Sequence, residues 1–182
     1  MLEIEMKFPV ADFAAIHAKL DAWHASPPET HFEADHYWNA PDRDFRKTDE
    51  AFRLRRIGSR NIATYKGPKQ AGPAKTRTEI EAPLQDGDAA AELFCSLVEH
   101  LAYRPVAVVR KQRVTRSFHR DGFQLNICMD DVEQVGRFVE VEIVAPENRK
   151  EDATQVLTAT AAELGLSNPE KRSYLQLLVG SK

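Results

Sequence analysis

Charged residues recur at every second position along several stretches of this chain. Glu3, Glu5 and Lys7 form one set, and Arg53 and Arg55 another. Lys75, Arg77, Glu79 and Glu81 form a third, Lys111 and Arg113 a fourth, Glu140 and Glu142 a fifth. Successive side chains of an extended strand point to opposite faces, so each set shares one face. Apolar residues occupy the other face: Leu2, Ile4, Met6 and Phe8 behind the first set, Val139, Val141 and Ile143 behind the last. Asn126, Cys128 and Asp130 repeat the arrangement in front of Leu125, Ile127 and Met129. One such pair would be an ordinary solvent-facing strand. The whole set is different, because its pairs are segregated by sign and exposed strand faces favour Thr over repeated charge. Arg and Lys neutralise phosphate oxygens, Arg often through two parallel bonds. Paired carboxylates supply hard oxygen ligands for Mg²⁺ or Mn²⁺. Both signs on neighbouring faces suit the binding of a polyphosphate together with divalent metal.

The elements that must present these residues are short strands. Period-two alternation predicts strands at Leu2–Phe8, Ala34–Trp38, Ala51–Ile57, Ile62–Lys66, Lys75–Ala82, Val106–Phe118, Phe123–Met129 and Phe138–Val144. Asp121-Gly122 is a hairpin turn, and Gly67–Pro73 reads as a loop. Four helices interrupt the strands. Asp12 caps one with Phe13, Ile16, Leu20 and Trp23 on its apolar side. Asp88 caps the second, with Leu93, Leu97, Val98 and Leu101 as the apolar stripe. The third runs from Glu151 to Leu164 and stops at Gly165. Asn168-Pro169 opens the last, which ends near Leu178. Hairpins with inserted helices predict an α+β domain built on an antiparallel sheet or barrel; in a closed barrel one strand face points inward, and if that face is the charged one the lumen is polar.

Composition bounds the rest. The 182 residues fit one domain, expected to span 1–179 with a tail at 180–182. Lys and Arg number 25 against 28 Asp and Glu, a net charge of −3 that argues against a basic nucleic-acid surface. No apolar run reaches the roughly 18 residues of a membrane span. Glu3, Glu5 and Lys7 exclude a signal peptide at the start. Two cysteines, Cys95 and Cys128, make neither a disulfide framework nor a Cys-rich metal site, and the expected compartment is the cytoplasm. The six histidines lack metal-ligand spacing, His36 being the one near the charged faces. Residues 43–47 read as a solvated loop or a lid, and Lys69 and Lys75 flank the glycine-proline loop. A homodimer is expected only because symmetric dimers are common.

Taken in order, these motifs resemble the CYTH superfamily, the triphosphate tunnel metalloenzymes. Glu3-Ile4-Glu5-Met6-Lys7 is similar to its N-terminal ExExK signature. Ala51-Phe52-Arg53-Leu54-Arg55 resembles its arginine strand, and Thr64-Tyr65-Lys66-Gly67-Pro68 its lysine strand. Arg77-Thr78-Glu79-Ile80-Glu81, Lys111-Gln112-Arg113 and the Asp130 to Glu142 segment follow in the same order. Arg172 to Leu178 resembles the C-terminal helix of the class IV adenylyl cyclase branch. The resemblance implies a closed eight-stranded antiparallel β-barrel flanked by helices. It implies that Lys7, Arg53, Arg55, Lys66, Arg77, Lys111 and Arg113 bind a triphosphate, and that Lys7 and Lys66 assist the chemistry. Glu140 and Glu142 would lead in holding one or two Mg²⁺ or Mn²⁺ ions. Glu3, Glu5 and Asp130 would share a second ion or hold water and lysine in place, and Glu79 and Glu81 would be tunnel acids. The Asp35-His36-Tyr37-Trp38-Asn39 strand matches the family pattern only in part, and Tyr37 receives no role.

The activity this implies is conversion of ATP to cyclic AMP and pyrophosphate. The alternative is a metal-dependent triphosphate phosphohydrolase acting on thiamine triphosphate, inorganic triphosphate or a nucleoside triphosphate. A third reading is a non-catalytic polyphosphate- or nucleotide-binding module. In each the partner is a small-molecule triphosphate, with neither nucleic acid nor membrane.

Overall fold

The computed structural model describes residues 2–69 and 75–180, without the side chains of Lys75 and Thr76. The middle of the glycine-proline loop and any phosphate contact of Lys75 lie outside the described residues. The strands are β1 (Leu2–Pro9), β2 (Glu29–Asn39), β3 (Ala51–Ile57), β4 (Arg60–Lys66), β5 (Lys75–Arg77), β6 (Glu79–Pro83), β7 (Arg104–Arg120), β8 (Phe123–Val132) and β9 (Gly136–Ala145). They form one antiparallel sheet in the order β5-β1-β9-β8-β7-β2-β3-β4-β6. The helices are α1 (Ala14–Ala22), α2 (Phe45–Thr48), α3 (Asp88–His100), α4 (Lys150–Glu163) and α5 (Tyr174–Gly180). Among the described residues, no helix is long and apolar enough to cross a membrane.

Seven of the eight predicted strands are present as single elements, and the eighth is divided. The 75–82 segment changes partner at Thr78, with Glu3 opposite Arg77 on one side and Lys66 opposite Glu79 on the other. The Thr78 carbonyl accepts from the Gly67 N–H, 2.9 Å away, just past the end of β4. The sheet is a curled half-barrel flanked by helices, where the resemblance implies a closed barrel. Its two edges, β5 and β6, are consecutive in the chain rather than paired with each other. The Asp121-Gly122 turn forms as predicted, both residues having positive φ (51° and 77°), the geometry of a two-residue hairpin.

The hydrophobic core lies on the outer face of this wall. Ile4, Met6 and Phe8 of β1 join Leu125, Ile127 and Met129 of β8 and Val139, Val141 and Ile143 of β9. Ile16 and Leu20 of α1, with Ala153, Leu157 and Ala161 of α4, cover them. Asp12 accepts from the Ala14 N–H, but it stands one residue ahead of the cap position, which Phe13 takes in place of the predicted Asp12. A second cluster places Trp38 and Leu54 under Ala91 and Val98 of α3. Here the predicted stripe is corrected. Leu93, Leu97 and Leu101 are exposed, because Ala91, Phe94 and Val98 form the face that meets the aromatic ring pair Trp38 and Phe52.

α5 is also corrected. It begins at Tyr174, not at Asn168-Pro169. Asn168 has φ 59°, which stops helix propagation, and Ser173 takes over as cap. Ser173 Oγ accepts from Gln176 N–H at 3.1 Å, and Gln176 Oε1 accepts from Ser173 N–H at 2.8 Å, a reciprocal capping box. α5 reaches Gly180, so the predicted tail starts one residue later, outside the described residues. Tyr174, Leu177 and Leu178 pack with Tyr37, Val109, Val132 and Phe138 on the inner side of the wall.

Candidate functional site

The inner face of the half-barrel carries the charges. A cavity of about 150 Å³ is lined by Glu3, Glu5, Lys7, Arg53, Arg55, Lys66, Arg77, Glu79, Glu81, Lys111, Arg113, Glu140 and Glu142. Tyr37, Lys69, Ser173 and Tyr174 complete the lining. Every residue assigned to the site from sequence is there except Asp130, which is fully buried behind the lining.

A second layer of acids holds the bases from behind. Asp35 accepts from Arg53 at 2.9 Å and from Arg55 at 2.7 and 2.8 Å. Glu33 lies 2.9 Å from Arg55 and 3.2 Å from Lys111. Asp130 accepts two bonds from Arg113, at 2.7 and 2.6 Å, and one each from Lys111 and Tyr174. Burial opposes ionisation of Asp35, yet Arg53 and Arg55 hold its carboxyl far below the usual range. Burial opposes Glu33 in the same way, and Lys111, Arg55 and Arg113 bring it to about 2. Both carboxylates therefore stabilise the fold above the ordinary carboxylate range and lose that contribution as pH falls toward 2. Asp35→Asn is expected to cost about 3–5 kcal/mol, because it leaves the buried Arg53 and Arg55 without their shared carboxylate. Urea denaturation at pH 7 checks this, and an unchanged midpoint contradicts it.

Fixed in this way, the bases present an ordered cationic surface to the cavity. Arg53 bonds to Asp35 and Tyr37, while its Nε is buried with no partner among the described residues. Lys66 Nζ donates to Glu79 at 2.5 Å. Burial, with Arg53 nearby, lowers the Lys66 pKa, while Glu79 opposes the shift.

The acids divide into two groups. Glu140 faces the bases, 2.5 Å from Arg113 and 3.9 Å from Lys7, although the sequence puts it among the leading metal ligands. Glu79 contacts Lys66 and Arg77, and Glu81 accepts from Thr64 at 3.3 Å. Glu3, Glu5 and Glu142 gather instead, each offering an oxygen within 4.8 Å of the others. Cross-strand register explains this, since Glu5 of β1 is opposite Glu142 of β9. Burial raises Glu142 to about 8, with Glu140, Glu3 and Glu5 adding to the effect and Arg113 opposing it. Burial likewise raises Glu3 to about 7, against the pull of Lys66. Glu3 and Glu142 resist ionisation because they are buried, and with Glu5 they offer three hard oxygen donors that fit an Mg²⁺ or Mn²⁺ ion.

Glu33, Asp35 and Tyr174 are residues of the cavity and its supporting layer to which sequence reasoning gave no role. Glu33, Asp35 and Tyr37 alternate along β2 like the other sets, and that period was the available signal. Tyr174 lies on a helix, so no strand period marks it. Cys128 is buried and sits 3.6 Å from Glu142 Oε2. His36 lies on the other side of the wall, in a groove with Arg56, Cys95 and His100. The 43–47 stretch is a fastened turn: α2 buries Phe45, and Arg43 makes two 2.9 Å bonds to Glu50.

Comparison with known proteins agrees with this geometry. The CYTH domain family matches residues 1–174. MJ0240 of Methanocaldococcus jannaschii, named as a candidate adenylate cyclase, is 32% identical over 180 residues, 97% of this chain and 98% of that protein. Among solved structures, PH1819 of Pyrococcus horikoshii superposes with a TM-score of 0.85 at 33% identity, covering 99% of both chains. HpAC1 from Hippeastrum superposes with a TM-score of 0.72 at 15% identity, covering 100% of this chain and 96% of that one, and shares the fold. HpAC1 is described as a candidate adenylyl cyclase with a dominant triphosphatase activity. The charged inner wall, the family match and the 32% identity over nearly the whole length together make this chain a member of the CYTH family.

Proposed function

We propose that the protein is a metal-dependent enzyme acting on an organic triphosphate, and that its reaction is the cyclisation of ATP to cyclic AMP with release of pyrophosphate. The observation that carries this reading is the pairing of an ordered cationic surface with the Glu3, Glu5 and Glu142 cluster in one cavity. Arg53, Arg55, Arg77, Lys111 and Arg113 bind the phosphate chain, with Lys7 beside them. Glu3, Glu5 and Glu142 would hold Mg²⁺ or Mn²⁺, which supplies charge neutralisation at phosphate oxygens when bound. The 75–83 segment, switching partners at Thr78, closes the tunnel wall in this reading.

An adjoining chamber of about 620 Å³ supports an organic substrate. It shares Tyr37, Lys66, Lys69, Arg77 and Ser173 with the charged cavity. Trp38, Phe45, Val106, Leu175 and Val179 give it apolar walls suited to a base and sugar. The ribose 3′-oxygen attacks the α-phosphorus, the bond from that phosphorus to the bridging oxygen breaks, and pyrophosphate leaves. Lys66, whose pKa is lowered by burial, is the base proposed to take the hydroxyl proton at Nζ. Arg53 and Lys66 on adjacent strands meet the charge that builds on the phosphate chain.

The hydrolytic alternative uses the same residues with water as nucleophile, and the described activity of HpAC1 favours keeping it. One experiment separates the readings. The protein is incubated with Mn²⁺ and ATP, inorganic triphosphate or thiamine triphosphate, and products are resolved by chromatography. Cyclic AMP with pyrophosphate is expected. Orthophosphate as the only product assigns hydrolysis instead, and tight binding without turnover assigns a binding module.

A further inference from the structure

We propose that Tyr174 is the positioning residue that holds Lys7 and Lys111 on the phosphate-binding side of the cavity. This rests on the reading of that cavity as a phosphate site. Lys7 and Lys111 come from β1 and β7, which are separated in the sheet by β9 and β8. Neither strand ladder joins them. Tyr174 does, by touching one residue from each of these four strands.

Its ring lies 4.0 Å from Lys7 Nζ and 5.1 Å from Lys111 Nζ, measured to the centroid. Its edge meets Phe138 of β9 at a centroid distance of 5.3 Å and 61°. Its hydroxyl donates to Asp130 of β8 at 2.8 Å, and Asp130 also accepts from Lys111. Lys7, Lys111 and Tyr174 are all nearly inaccessible to solvent. A cation over an aromatic face is attracted most strongly when water is excluded. One side chain therefore restrains two buried ammonium groups that would otherwise repel each other. The Glu170 N–H, bonded to the Lys7 carbonyl at 2.7 Å, fixes the approach to α5 on the same strand. Docking of α5 and the aim of the two lysines thus become one event.

The test compares Tyr174→Phe with Tyr174→Leu in the full-length protein. Phenylalanine keeps the ring and loses the bond to Asp130, whereas leucine keeps apolar bulk and loses the ring face. Calorimetric binding of inorganic triphosphate is expected to weaken about tenfold in the leucine variant, the sum of two modest cation–π contacts, and about threefold or less in the phenylalanine variant. The second readout is the NMR shift of the Lys7 ε-methylene protons, assigned by Lys7→Arg. A ring at this distance moves them upfield in the wild type and in Tyr174→Phe, and the shift disappears in Tyr174→Leu. Unshifted Lys7 protons in the wild type overturn the proposal, with no variant needed. So do equal affinities of the two variants, since a packing role alone does not distinguish ring from bulk. If the wild type binds no triphosphate but the Lys7 shift behaves as expected, the positioning role stands and the phosphate reading fails.

Discussion

Replacing Glu142 by glutamine is expected to abolish divalent-metal-dependent turnover, lowering kcat/KM about 10³-fold, or roughly 4 kcal/mol of transition-state stabilisation. Glutamine keeps the shape and one oxygen but removes the charge that Glu3 and Glu5 share. The same substitution is expected to have the opposite effect on the stability of the metal-free protein. Glu142 titrates at about 8 and Glu3 at about 7 in the fold, against an ordinary value of 4.5. Between those limits the folded chain binds more protons than the unfolded chain, so stability falls as pH rises. Adding Mn²⁺ opposes that fall, because the ion favours the ionised carboxylates. Glu142→Gln removes the larger share of it and leaves the metal-free protein less pH-sensitive. Steady-state assays with titrated Mn²⁺ check the first effect. Denaturation from pH 5 to 9, with chelator and with Mn²⁺, checks the second. Turnover that still responds to metal in this variant removes Glu142 from the proposed ligand set.

Arg113→Ala should be nearly as severe, through a different cause. Arg113 reaches Asp130 through two bonds, Glu140 at 2.5 Å and Glu142 at 3.7 Å. Truncation leaves these acids facing one another with Lys111 and Lys7 as nearby cations. Breaking a buried pair from one side typically costs about 3–5 kcal/mol, and that loss is expected here. Triphosphate affinity is expected to fall about 100-fold, since one charge-assisted bidentate partner and the order of its neighbours go together. Arg113→Lys keeps the charge without the fork and should fall between the two. Chemical denaturation and calorimetric titration with inorganic triphosphate measure both quantities. A stable alanine variant with unchanged affinity contradicts the placement of Arg113 at the centre of the site.

These residues were legible because strand alternation is a strict rule. Glu3, Glu5, Arg53, Arg55, Lys111, Arg113, Glu140 and Glu142 could be assigned to one side of the wall from period two alone. What alternation does not carry is depth. Asp130 and Glu142 share the inner side, but one is sealed beneath Arg113 and Lys111 while the other borders the cavity. Nor does it carry lateral register. The Glu3–Glu5–Glu142 cluster exists because β1 pairs with β9 with Glu5 opposite Glu142, a fact of the ladder rather than of either segment. Helix faces were harder. On α3 the leucine stripe was the stronger apolar signal, yet Ala91, Phe94 and Val98 match the shape of the aromatic pair beneath them. The strand at 75–82 was recognised, but its change of partner at Thr78 depends on a carbonyl spent on Gly67.

The position of the apolar core outside the wall has a consequence for divergence. β1, β8 and β9 are anchored by α1 and α4 through residues that never enter the cavity. The wall therefore does not depend on the chemical character of its lining, only on the lining being internally neutralised. Single changes there strand a buried charge, whereas exchanging a whole ion-paired group, such as Glu33 and Arg55 with their partners Asp35 and Lys111, is far milder. Substrate preference in such a frame would drift by whole ion pairs, in coupled steps, while the outer packing stays as it is. Related chains with different activities would then differ most in matched cation–anion couples and least in the residues under α1 and α4.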